Sequence, residues 1–289
     1  MTLDQISGMV AAVAVPLFAV ASTASVGLRF TPRQILAPLQ QGRLVLAGMV
    51  GNFVVAPLLA VGLCALFPVT PEARSGLVTL ACAAGAPFSL QLSALAGASM
   101  GVASGLMLTS LVATTVFLPL VLPRLLSGMD VQAADLALLL CWTMVFPLLA
   151  GSALASRAPR LAGVGAPVVG RIARVSMVVM LVNQAVADHR EIAELASTVA
   201  IVAITGMIVL TCLAGWLLGR LLGVSGLSVA LSVSQRNMAA GTLVASANLP
   251  GSSAVTCVVL SGFMALAVLL PVAGLLGRRG TPRPDAAEP

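Results

Sequence analysis

The polar block Ser232-Val233-Ser234-Gln235-Arg236-Asn237 interrupts an apolar run predicted to cross a membrane over 226–247. Arg236 lies too deep in that run for its guanidinium to snorkel to either surface, and an unpaired charge at such depth costs about 2.5–3.5 kcal/mol on insertion scales. Apart from Asp135, at the very start of the run over 134–156, no Asp or Glu lies within a predicted crossing, so compensation must come from carbonyls, amides, water or a bound anion. Two roles follow. Arg236 is either a counter-charge for an anionic substrate, able to grip a carboxylate with two parallel bonds, or a structural cation that fills the gap between broken helices and ties up their free carbonyls. Gln235 and Asn237 diverge on a regular helix, whereas an unwound stretch aims both at one cavity.

A second interruption, Gly85-Ala86-Pro87, falls in the run over 75–96. Pro87 removes a backbone donor and frees a carbonyl. Ser89, Gln91 and Ser93 alternate after it, either as oxygen ligands or as polar residues at a close helix contact. Asn52 follows Gly51 in another apolar run, and an amide in hydrocarbon seeks a partner across a helix interface. Thr109 and Ser110 are read as back-bonded to their own turn. Asn183 and Gln184 sit beside Asp188 near a helix end, and His189 in the next loop cannot build a metal site alone. No nucleophile-and-base arrangement, phosphate-binding loop or dinucleotide fingerprint is present, so neither enzymatic chemistry nor direct use of ATP is expected. No cofactor is expected.

These residues are embedded in 289 residues that are 59% hydrophobic, 8% charged and 3% aromatic, with a mean hydropathy of +1.09. Soluble domains carry about 25% charge, and a bilayer crossing takes about 20 apolar residues. The fold class is therefore an all-α polytopic membrane protein. Apolar runs between charges and turn clusters predict nine helices, near 6–28, 44–67, 75–96, 101–123, 134–156, 168–187, 195–219, 226–247 and 252–276. They form one transmembrane domain over 1–276, followed by a tail over 277–289.

The fifteen basic residues are all Arg and are scattered between apolar runs, which signals topology rather than a nucleic-acid partner. One set of loops holds Arg29, Arg33, Arg43, Arg157, Arg160, Arg171, Arg174, Arg220, Arg278, Arg279 and Arg283. The other holds Arg74, Arg124 and Arg190. Because cytoplasmic loops are the arginine-rich ones, the N-terminus is expected outside and the tail in the cytoplasm, in a plasma membrane of the bacterial inner type. The acids divide the other way: Asp4, Glu72, Asp130, Asp135, Asp188, Glu191 and Glu194 outside, Asp285 and Glu288 inside. The first run lacks the basic start of a signal peptide and is read as a retained helix. The five cysteines lie in apolar segments and form no C-x-x-C pair, so they suggest neither a disulfide framework nor zinc.

The segments Cys82–Pro119 and Ser234–Pro271 are alike at an offset of 152 residues. Each has a polar, small-residue helix, a short turn and a helix ending in Leu-Pro. The third and eighth crossings are an odd number of places apart and so run in opposite directions, which makes the segments inverted mates, and transporter sites lie at the interface of such repeats.

Three stretches resemble the bile acid:sodium symporter superfamily: SVGLRFTPRQILAPLQQGRLVLAGMVGNFVVAPLLA at 25–60, CAAGAPFSLQLSALAG at 82–97 and SVSQRNMAAG at 232–241. The resemblance implies a core domain with two crossing broken helices, a panel domain that moves against it, and alternating access to a small organic anion, often a steroid or a carboxylate. It also implies departures. The family's sodium-binding Glu corresponds to Ser232, its Gln-Asn pair reads Arg236-Asn237, Leu90 replaces an Asn beside Ser89, and Asn52 replaces a Gln. Loss of the carboxylate and gain of Arg236 fit sodium poorly. The expected substrate-binding residues are Arg236, Asn237, Gln235, Ser89 and Pro87, with Asn52, Ser232 and Ser89 as residual ion-site positions. Three functions stay open: sodium-independent organic anion transport by exchange or uniport, ordinary sodium-coupled symport, and a transport-inactive binding or sensing protein. Oligomeric state is left open.

Overall fold

The computed structural model describes residues 3–126, 132–190, 192–193, 199–249 and 253–280. Asp130, Glu191, Glu194, Arg283, Asp285 and Glu288 lie outside the described residues, as do the side chains of Asp4 and Arg279 and most of the expected tail.

The protein is all-helical, with no strand among the described residues. Among the described residues, seven continuous helices are long and apolar enough to cross a membrane. In chain order these are α1 (Leu3–Gly27), α2 (Gly42–Leu66), α4 (Met100–Leu125), α5 (Ala133–Arg157), α6 (Pro159–Ala187), α7 (Val199–Leu221) and α9 (Ser253–Gly280). The two remaining apolar runs are broken. The first gives α3a (Pro71–Cys82) and α3b (Phe88–Leu95), the second α8a (Gly226–Ser234) and α8b (Met238–Asn248). None of these halves is long enough to span a bilayer by itself at about 1.5 Å per residue.

Local chemistry explains where the chain starts and stops. Thr70 caps α3a by accepting from the Ala73 N–H at 3.2 Å, and Pro71 occupies the position where a missing donor costs nothing. Gly85 has φ +76°, a conformation that costs most side chains about 1–2 kcal/mol, and with Pro87 it ends the first half. The second break contains neither Gly nor Pro. It is made by Asn237, whose Oδ1 accepts from the Ala240 N–H at 3.2 Å and starts a new helix. Gly241, four residues further on, lies inside α8b, where a Cβ would fall 3.0 Å from Leu80 Cδ1; its role is close packing.

α6 begins at Pro159 and not near 168, so Arg160 is helical, and Arg171 and Arg174, counted above with the loops, lie well inside the helix. α9 likewise runs beyond 276.

Two wide turns interrupt otherwise continuous helices. Gly51–Val55 in α2 and Cys141–Val145 in α5 are π-helical, and each precedes a proline by two residues, Pro57 and Pro147. A proline lacks the N–H and crowds the carbonyl four residues before it; widening the turn relieves that clash. Thr23 on α1 donates to the Thr143 carbonyl in the second of these turns at 3.2 Å.

The helices pack in two groups. α1, α5 and α6 associate chiefly with one another, while α3a, α8a and α8b pack among α2, α4, α7 and α9. α1 touches α8b and α6 touches α9, so the broken segments face the first group. At one end α6 is tied to α9, because Asp188 just beyond α6 accepts from Gln184 and from Thr256 Oγ1, the latter at 2.9 Å.

Candidate functional site

The two breaks meet. The Asn237 N–H donates to the Ala83 carbonyl at 2.9 Å, and Asn237 Nδ2 donates to the Gly85 carbonyl at 3.4 Å. Thr114 on α4 seals the other face of the first break, accepting from the Ala84 N–H at 3.0 Å and donating to the Ala84 carbonyl at 3.2 Å.

Beside them lies Arg236, only 4% exposed. Its partners are three helix carbonyls left over by irregular backbone and one side-chain oxygen. In the π turn the Ala56 N–H bonds to Gly51 O; the next donor in that register would be residue 57, but Pro57 has no N–H. The Asn52 carbonyl is therefore free, and Arg236 Nη1 donates to it at 3.3 Å. Ala81 O sits in the last turn of α3a, where no later N–H reaches it; Nη1 donates there at 2.8 Å. Val233 O would take the Asn237 N–H, which is committed to Ala83; Nη2 donates to it at 2.8 Å. Nη2 also donates to Asn52 Oδ1, and Asn52 Nδ2 donates to Ser110 Oγ at 3.0 Å.

Both terminal nitrogens thus point into protein, so a bound carboxylate could not be gripped by both while this arrangement holds. The cation sits at the C-terminal ends of α3a and α8a, where the helix dipoles favour positive charge.

The opposite ends of the breaks border a cavity of about 170 Å³. Pro87, Gln235, Arg236 and Asn237 lie on its wall together with Gln91, whereas Ser89, Asn52 and Ser232 do not border it. Ser89 Oγ is turned into its own break, donating to the Ala86 carbonyl at 2.8 Å. Ser232 Oγ, Ser93 Oγ and Gln235 Oε1 are buried without a hydrogen-bond partner. Thr109 bonds back to the Gly105 carbonyl at 2.8 Å. Asn183 Nδ2 donates to the Ser7 carbonyl at 3.2 Å, and His189 Nδ1 lies 3.2 Å from the Val186 carbonyl in an exposed setting. No group of three or more His, Cys, Asp or Glu able to hold a metal ion occurs among the described residues.

Sequence reasoning missed the far wall of the cavity. Arg29, just beyond α1, and Arg174, on α6, both border it, with Ser22 and Ser25 between apolar neighbours. Both arginines counted there only as topology. The missed signal was the spacing Gly170, Ala173, Arg174 and Met177, which places all four on one face of a helix.

Asn52→Leu tests the cradle. It removes an acceptor from a buried cation and the donor to Ser110, at about 1.5–3 kcal/mol for a charged hydrogen bond. A thermal midpoint several degrees lower is expected in detergent; an unchanged midpoint would show that the Asn52 side chain contributes nothing.

An all-helical chain with several apolar crossings, and with two broken helices meeting at a polar centre beside a cavity, defines a multi-pass membrane protein of the secondary-transporter type. A family model described as the sodium bile acid symporter family matches residues 16–195, and the chain belongs to that family. Arg236 and Asn237 lie beyond the matched span. No curated protein matches the chain.

Proposed function

We propose that the protein transports small organic anions by alternating access without sodium coupling, by exchange or uniport, and that Arg236 supplies in place the positive charge that sodium supplies elsewhere. The observation that carries this reading is the set of partners of the guanidinium. Half-helix C-termini and unwound carbonyls are the groups that coordinate sodium in transporters with broken helices, while half-helix N-termini point at anionic substrate groups. Here Arg236 takes the carbonyls of Ala81, Val233 and Asn52 and the side-chain oxygen of Asn52. The starts of α3b and α8b, at Pro87, Phe88, Asn237 and Met238, border the cavity.

A sodium ion at this point would have to compete for oxygens already bound to a cation. The absence of any acid among the residues bordering the cavity works in the same direction. We further propose that the segments 82–119 and 234–271 are inverted repeats. Asn237 and Gly85 are equivalent positions at the offset of 152 residues, and their contact is what a two-fold axis between mates requires. The arginine-rich side, which the cavity approaches through Arg29, is the cytoplasmic one in this reading.

The test is uptake of radiolabelled organic anions into proteoliposomes, with sodium inside and outside varied independently and potassium as the control. Uptake indifferent to sodium and stimulated by anion preloaded inside is expected. Acceleration by an inward sodium gradient would overturn the reading.

A further inference from the structure

The cavity wall opposite the breaks carries two guanidinium groups that the proposed transport mechanism leaves unused. Gly170 on α6 has no side chain, and three polar groups converge over it. The position a Cβ would take there is 3.1 Å from Ser25 Oγ, 3.6 Å from Arg29 Nη2 and 3.8 Å from Arg174 Nη1. The two guanidinium groups therefore lie no further apart than the sum of those last two distances. Neither has a carboxylate or carbonyl partner among the described residues, and both are solvent-exposed. Like charges held this close repel one another unless something negative lies between them.

The surroundings define what that is. The rest of the cavity wall is largely apolar and includes Phe18, Val26, Met177 and Leu266. The volume of about 170 Å³ falls below the roughly 300–1,000 Å³ usual for drug-sized ligands. Resting on the transport reading above, we propose that Arg29 and Arg174 clamp the carboxylate of a small amphipathic organic anion. Its apolar body then lies against Phe18 and Met177 and its far end approaches Gln235 and Asn237. Two planar donors can each offer paired N–H groups to one carboxylate. The bare Gly170 leaves room for the group between them. The carboxylate is thus held by α1 and α6, the starts of α3b and α8b complete the cavity at the other end of the anion, and Arg236 is left to its carbonyls.

The test is calorimetric titration of the purified full-length protein in a neutral detergent. The probes are short- and medium-chain carboxylates, their methyl esters, inorganic phosphate and short-chain phosphatidylglycerol. At least one carboxylate is expected to bind more tightly than its ester. Arg29→Gln and Arg174→Gln should each weaken that carboxylate about tenfold, the scale of one charge-assisted contact, and the double variant should bind acid and ester alike. Arg29→Lys with Arg174→Lys keeps the charge without the fork and should retain part of the preference. Since both side chains are exposed, the variants are expected to elute as the parent does.

Persistence of the acid–ester preference in the double variant would overturn the clamp, as would failure of every carboxylate to bind. Binding of phosphatidylglycerol alone would assign the pair to a lipid headgroup and also overturn it. Sodium-driven uptake combined with arginine-dependent binding would sink the sodium-independent mechanism while leaving the clamp standing.

Discussion

Arg236→Gln is expected to abolish sodium-independent anion uptake, with a fall of at least about tenfold, and to lower thermal stability. The side chain serves three backbone carbonyls and one side-chain oxygen from two nitrogens. A glutamine has one amide nitrogen on a shorter stem and cannot reach them all. Each buried acceptor left bare costs about 1–3 kcal/mol, and the ends of α3a and α8a lose the cation their dipoles favour. Under the proposed mechanism the oxygens of Asn52, Ala81 and Val233 then become available to a small cation, so part of the lost uptake should return as a sodium-dependent component. Arg236→Lys separates charge from geometry: it keeps the charge as a single ammonium and should preserve more activity than the glutamine variant. Uptake by the glutamine variant at the parental rate, still indifferent to sodium, would reduce Arg236 to a packing residue.

The second large effect is expected at Gly85. With φ at +76°, the residue is in the left-handed region, and a Cβ there would fall 2.5 Å from Leu111 Cα and closer still to the Leu111 nitrogen. The obstacle is the backbone of α4, which cannot rotate aside as a side-chain tip can. Gly85→Ala therefore combines the backbone penalty with a clash that separates the first break from α4. A loss above about 4 kcal/mol is the scale of such disruptions, which in a membrane protein appears as a collapse in folded yield. Gly62→Ala on α2, where nothing lies within 4 Å of the added methyl, is the matched control and should behave as the parent. Size-exclusion profiles and thermal midpoints in detergent measure both; a Gly85→Ala protein as stable as the control would contradict the packing described here.

The membrane-spanning character and the two interruptions are legible in the sequence because long apolar runs have one physical explanation and polar blocks within them another. Pro87 and Arg236 announce themselves in this way. What sets their partners is less accessible. The Asn52 carbonyl is free only because a π turn shifts the register by one residue ahead of Pro57, and nothing in the composition of GNFVVAP specifies that turn in place of a kink. Ser89 had the right chemistry for a ligand, but its hydroxyl is consumed by the carbonyl three residues earlier. Arg29 and Arg174 were hidden for a different reason. Arginines near helix ends satisfy the topology rule whether or not they also face a cavity, and the start of α6 at Pro159 sets Arg174 deep within a helix and away from its end.

The cation between the two breaks differs from a transported ion in one respect: it is covalently attached and cannot depart with its cargo. In a carrier that releases both substrate and ion, the unloaded protein returns without that ion's charge. Here, under the proposed mechanism, the unloaded carrier keeps the positive charge of Arg236, and a bound monoanion neutralises it. Membrane voltage would then act on the empty return step and spare the loaded one, by at most about 2.3 kcal/mol per 100 mV for a charge crossing the whole field. Such a carrier works most freely when it never travels empty, which makes obligatory exchange of one anion for another its natural mode.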